Sequence, residues 1–179
     1  MKFKIFLGVL LLQTAWILGT SFVQERGLAS GTVVLLETQP VDPRDLLRGD
    51  FVTLNYKISD VPFTAFSPPQ TNALPPGTTV YVALEPRGDF YEVASASTDS
   101  LLPTTGQVII RGTSQAAWWS QSQIHLAYGL ERFFVREGAG NVRGKMTVQA
   151  AIPASGRAQI KNVFVDGKPF AEAAKIAGP

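Results

Sequence analysis

A chain of 179 residues with 45% apolar side chains has room for one domain with a sizeable core and an additional targeting segment. The formal charge is +2; Lys2 and Lys4 lie at the N-terminus, so the remainder carries 14 basic and 14 acidic residues and is formally neutral, which makes nucleic acid a poor partner. The absence of cysteine excludes disulfides, thiolate catalysis, cysteine metal sites and a lipid-modified N-terminal cysteine.

The first element is an address. Lys2 and Lys4 precede an apolar run from Ile5 to Val23 that Gln13 and Thr14 interrupt but no charge does. As a helix this run measures about 28 Å, close to the roughly 30 Å hydrocarbon core of a bilayer. Residues 1–24 are therefore expected to be a single-pass anchor, with the N-terminus held on the cytoplasmic side by the lysines and Trp16 toward the outer part of the span. The domain then stands outside the cytoplasm, periplasmic or extracellular. A cleaved signal peptide is the competing reading, since Gly19-Thr20-Ser21 offers small residues for processing, but the run is long and no A-x-A site follows it.

Residues 25–30 read as a linker, 31–170 as the exported domain and 171–179 as a frayed tail. Within the domain, strand-like runs fall at Thr32 to Glu37, Phe51 to Ile58, Thr79 to Glu85 and Phe90 to Ser97. Further runs fall at Gln107 to Gly112, Gln123 to Val135, Lys145 to Ile152 and Arg157 to Val165. Ser59 to Gly77 contains five prolines and is expected to be a long loop. Turn signals at Pro86 to Asp89, Pro153 to Gly156 and Asp166-Gly167 predict sequential hairpins. The fold class is all-β, a compact antiparallel barrel- or sandwich-like domain on a single N-terminal transmembrane helix.

Pro40 to Tyr56 concentrates the most information. Period-two alternation places Val52, Leu54 and Tyr56 on one apolar face and Thr53 and Asn55 on the other. Pro43 biases Asp42 toward extended backbone, and Gly49 can turn the chain into the strand. Asp42, Arg44, Asp45, Arg48 and Asp50 form a charge cluster that is either a solvated turn or a recognition surface. The Arg-Gly-Asp triplets at Arg48 and Arg87 read as turn chemistry, and Arg-Gly pairs at Arg48, Arg87, Arg111 and Arg143 suggest a recurring bend.

Gly49 to Tyr56, GDFVTLNY, resembles the signature of the GDYXXLXY family of membrane-anchored proteins, with Phe51 in place of tyrosine. Tyr128 to Gly138 is similar to the family's YGLE-type run followed by an aromatic, FV and EG, and Asn162 to Pro169 is similar to its closing strand and turn. The chain departs at Arg136, where proline is usual, and in the short, glycine-rich Gly138 to Gly144. The resemblance implies an anchored extracytoplasmic domain, often associated with multi-pass membrane proteins, and supplies no reaction. Gly49, Leu54, Tyr56, Tyr128 and Gly129 are the motif positions expected to be structural.

Glu131 and Arg132 interrupt an apolar run, and a buried charge needs a partner. Arg48 for Glu131, or Asp50 for Arg132, would tie the two signatures together; exposure of both at an edge is the alternative. Asp42, Arg44, Arg48, Asp50, Glu131 and Arg132 are thus the candidate charge cluster, for binding or for structure. His125 reads as a surface residue rather than a base or metal ligand. Pro43 to Asp50 resembles the serine box of signal peptidases, yet the serine position falls on Val41, which has no hydroxyl. No catalytic residue, cofactor or metal is assigned. The functional expectation is a binding or accessory module for an envelope membrane protein; the Trp118-Trp119 pair reads as further contact surface, as a membrane-surface contact or as core, with at least one of the two expected to be buried because neighbours on a strand face opposite ways. Two alternatives stand beside it. One is an assembly module, because Pro40 to Phe51 also resembles SAF-like β-clip domains of pilus assembly proteins; the other is a hydrolase using Asp42, Asp45 and Asp50.

Overall fold

The computed structural model describes residues 2–39, 51–116, 122–135 and 144–177. Helix α1 (Lys2–Ser30) is apolar on every side and none of its hydrophobic stretch is buried against the domain, so it is long and apolar enough to cross a membrane. It does not stop at an extended linker. Residues 25–30 continue the helix, and Gly31 joins it to strand β1 (Thr32–Glu37). Gly31 is required by close approach: an ideal Cβ there would sit 2.8 Å from the Gly27 carbonyl oxygen and 3.0 Å from the Ile152 backbone.

The chain continues through β2 (Phe51–Thr53), β3 (Asp60–Pro62), β4 (Thr79–Arg87), β5 (Phe90–Ser97), β6 (Val108–Ser114) and β7 (Gln123–Ala127). Strands β8 (Arg132–Phe134), β9 (Met146–Ile152), β10 (Gln159–Val165), β11 (Lys168–Pro169) and helix α2 (Phe170–Ala177) complete it. Strand order is β1-β9-β10-β11 in one sheet, β3-β7-β6-β4-β5 in a second, and β2-β8 in a two-stranded ribbon, with every strand pair antiparallel. Bridges at Thr38 to Tyr56 and Phe66 to Ala96 stitch the sheets into a nearly closed barrel-like whole around one apolar core. Of the two expected architectures, the barrel-like one is found.

Alternation sets the core. β1 turns Val34 and Leu36 inward, β4 turns Val80, Val82 and Leu84, and β9 turns Met146, Val148 and Ala150. Sequential hairpins account for β4–β5, β6–β7, β9–β10 and β10–β11, but β1 pairs with β9, β2 with β8 and β3 with β7 across long stretches of chain. At the β4–β5 turn Gly88 has φ +63, and Arg87 bonds Glu85 at 2.9 and 3.0 Å, so this Arg-Gly-Asp triplet is a hairpin turn.

Three expected elements change. The run from Phe51 to Ile58 is strand only to Thr53 and then turns through a 3₁₀ segment at Lys57–Ser59. The run from Gln123 to Val135 is broken into β7 and β8 around Gly129. The proline-rich stretch 59–77 is not all loop, since it holds β3 and a 3₁₀ turn at Phe63–Ala65. The residues expected to fray at the C-terminus instead form α2 as far as Ala177. Phe170 is buried and meets Phe133 edge-on at 5.4 Å, and Ala173 and Ala174 pack on the core.

Candidate functional site

The two signature segments meet at β2–β8, where Phe51 opposes Phe134, Val52 opposes Phe133 and Thr53 opposes Arg132. Beyond the ribbon the first signature leaves β8 and crosses to the end of β1. Leu54 N–H donates to the Glu131 carbonyl at 2.8 Å, Gln39 N–H donates to the Asn55 carbonyl at 2.8 Å, and Tyr56 bridges Thr38. Val52, Leu54 and Tyr56 are buried as their alternation requires, while Asn55 is exposed.

Two tyrosine hydroxyls then exchange hydrogen bonds. Tyr56 Oη donates to the Leu130 carbonyl at 2.8 Å, and Tyr128 Oη donates to the Ile58 carbonyl at 2.6 Å. Each tyrosine thus reaches the carbonyl two residues beyond the other, and each frees a buried acceptor from an unpaired state. Burial pushes both phenol pKa values well above the usual tyrosine range; the Glu131 charge adds to this for both, and Asp60 for Tyr128.

The Tyr128 to Glu131 turn is built by its own residues. Gly129 takes φ +81, a left-handed conformation that favours glycine. That turn aims the Tyr128 and Gly129 N–H groups at the Glu131 carboxylate, at 2.6 and 3.0 Å. Glu131 is therefore half-buried with a partner inside its own turn. Arg132 is exposed, its guanidinium carbon 5.4 Å from the centre of the Phe51 ring, and Phe51 meets Phe134 at 6.2 Å. Asp42, Arg44, Asp45, Arg48, Gly49 and Asp50 lie outside the described residues, as do Val41, Trp118, Trp119 and Arg136.

Sequence reading missed the residue that admits Tyr128. Gly112 lies within β6 rather than at a bend, and an ideal Cβ there would be 2.9 Å from Tyr128 Cε1. A glycine inside a β-branched strand was the available signal. His125 is half-buried, with Nδ1 2.8 Å from Asp60 Oδ1, and Gln39 Nε2 donates to the other Asp60 oxygen at 3.1 Å. Glu37 is bracketed by Lys57 and Lys145, whose hydrogen bonds hold its carboxyl below the usual range.

Behind the tyrosine exchange runs an open groove of about 600 Å³, lined by Arg111, Thr113, Gln115, Glu131, Arg157 and Gln159 among others. The turn between β9 and β10 brings its two arginines together: Gly156, at φ +75, accepts from Arg111 N–H at 2.9 Å and directly precedes Arg157. Among the described residues no group of acidic and histidine side chains is arranged to hold a metal.

A family model described as GDYXXLXY protein matches residues 13–163, a span that begins inside α1 and takes in both signatures. Searches of curated proteins and of solved structures return no match.

Proposed function

The chain belongs to the GDYXXLXY family, and from that premise we propose that it is a membrane-anchored, non-catalytic accessory module whose domain stands outside the cytoplasm and binds a multi-pass membrane protein of the envelope. The observation that carries the reading is the outer face of the β2–β8 ribbon. Phe134 is 73% exposed there, beside Phe51 and the Arg132 guanidinium, while Val52 on the inner face is buried. Aromatic and arginine side chains are the residues that anchor protein interfaces, and here Phe134, Phe51 and Arg132 stand together on one face. α1 confines that face to one bilayer, which raises its effective concentration toward partners in the same membrane. The signature side chains support a non-catalytic role, since Tyr56, Tyr128 and Glu131 spend their polar groups on the domain's own backbone.

The test is co-purification of the full-length chain from detergent-solubilised membranes, wild type beside Phe134→Ala and Arg132→Ala. A stoichiometric partner that is lost in both variants, at unchanged melting temperature, is the expected result; a wild-type chain that purifies alone overturns the partner. Protease added to spheroplasts should degrade the domain, and survival until lysis overturns its placement outside the cytoplasm.

A further inference from the structure

We infer that the groove behind the tyrosine exchange binds the phosphate of an anionic phospholipid headgroup. The inference rests on the anchor reading of α1 and adds to it a ligand and a site.

Charge is the first observation. Lys57 and Lys145 flank Glu37 and Arg87 pairs with Glu85 and Glu92, whereas Arg132, over the Phe51 ring, and the exposed Lys161 and Lys168 stand apart from one another without an ion pair among the described residues. Among the described residues Arg111 and Arg157 form no ion pair, although both line one groove and the fold secures Arg111 N–H to Gly156 to place them there. The groove's one carboxylate, Glu131, is already engaged by two turn N–H groups. A pair of unpartnered guanidiniums flanked by Thr113, Gln115 and Gln159 suits a phosphodiester with polar substituents, because guanidinium presents a planar fork to phosphate oxygens.

Height is the second observation. Gln159 on the groove wall faces α1: its Nε2 is 3.8 Å from where a side chain on Gly27 would begin. Gly27 lies four residues, about 6 Å, beyond Val23, where the apolar run ends. The headgroup layer extends roughly 5–8 Å outside the hydrocarbon core. With Ile5 to Val23 in the core, Gly27 and the groove wall beside it lie in the layer that contains lipid phosphates. Arg26, stacked on Phe22 with its guanidinium carbon 4.6 Å from the ring centre, lies at the same level beside Glu25, so α1 adds no net charge there and the groove's two arginines have to supply it. A soluble anion would gain nothing from this placement, whereas a headgroup is already there.

The full-length chain, purified in a neutral maltoside detergent, is titrated with phosphatidylglycerol or phosphatidylcholine, and bound lipid is counted by native mass spectrometry. At a gain of the size basic residues show near anionic membranes, two arginines predict a preference for phosphatidylglycerol of about 30-fold. Arg111→Gln/Arg157→Gln should bring binding down to the phosphatidylcholine level, while Arg87→Gln should leave it unchanged. Equal binding of the two lipids, or full retention in the double variant, overturns the inference. Displacement of the lipid by equimolar inorganic phosphate also overturns it, in favour of a free-anion site. If the double variant fails to fold, the wild type still decides, since a preference that does not weaken as salt rises is not carried by these charges. Micelle binding needs no topology, so failure of the spheroplast assay and failure of the groove are read separately.

Discussion

The tyrosine exchange and the arginine groove share a wall, for Tyr128, Gly129 and Glu131 border both, yet they treat polar groups in opposite ways. On the inner side each hydroxyl and carbonyl is matched within the domain, and the two tyrosines are nearly or fully out of contact with water. On the outer side two guanidiniums are left facing solvent. A buried polar group that loses its partner costs free energy outright, whereas an exposed charge costs little to leave unpaired. The inner side is therefore where sequence change threatens the fold, and the outer side is where it changes what the domain binds.

The contrast is tested most severely at Leu54, 1% exposed and hydrogen-bonded through its N–H to Glu131. Leu54→Ala should lower stability by about 2–5 kcal/mol in a denaturant titration. An unchanged transition would remove the first signature from the core.

Tyr56→Phe and Tyr128→Phe should each cost about 1–3 kcal/mol, because Leu130 and Ile58 would retain buried carbonyls without donors. A double-mutant cycle should give a coupling of about 0.5 kcal/mol or more, since both bonds clamp the same two turns, and strict additivity would make the exchange two separate contacts. Alkali supplies an independent readout. The folded domain keeps both phenol protons where the unfolded chain releases them near pH 10, so the associated stability is intact below about pH 10 and falls as pH rises past it. The expected slope is about 1.4 kcal/mol per pH unit for each tyrosine. Each phenylalanine variant should remove one such contribution from the pH dependence.

The smallest effect is expected in the groove. Arg111→Gln/Arg157→Gln should change stability by no more than about 0.5 kcal/mol, as surface substitutions do. A loss comparable to that of the tyrosine variants would erase the distinction between the two sides.

Local chemistry was legible and long-range chemistry was not. Strands β1 and β5 begin and end where the β-branched and alternating runs do, and Val52, Leu54 and Tyr56 alternate inward as read. The break at Gly129 was hidden because the run on both sides is apolar, and only a glycine two residues before a glutamate signalled the turn. Helix α2 was hidden because eight residues are few for a helix to stand on propensity alone, and its stability comes from packing Phe170 on Phe133, a contact that propensity cannot show. The tyrosine exchange spans more than 70 residues of chain and depends on Gly112, a third segment, leaving room for a ring. The residues of the charge cluster that fall within the structure separate in use: Glu131 caps its own turn, and Arg132 covers an aromatic ring at the surface.

The junction at Gly31 has a mechanical meaning. α1 enters β1 without a flexible tether, and its last turn packs near Pro153, Gln159 and the end of β9. The domain is thus mounted on a post rather than moored by a rope, and the tilt and azimuth of the helix become the orientation of the barrel. One residue inserted in the exposed part of α1 would lift the domain by about 1.5 Å and swing it through about 100°. Such an insertion would leave every contact inside the barrel intact while turning its faces toward different neighbours.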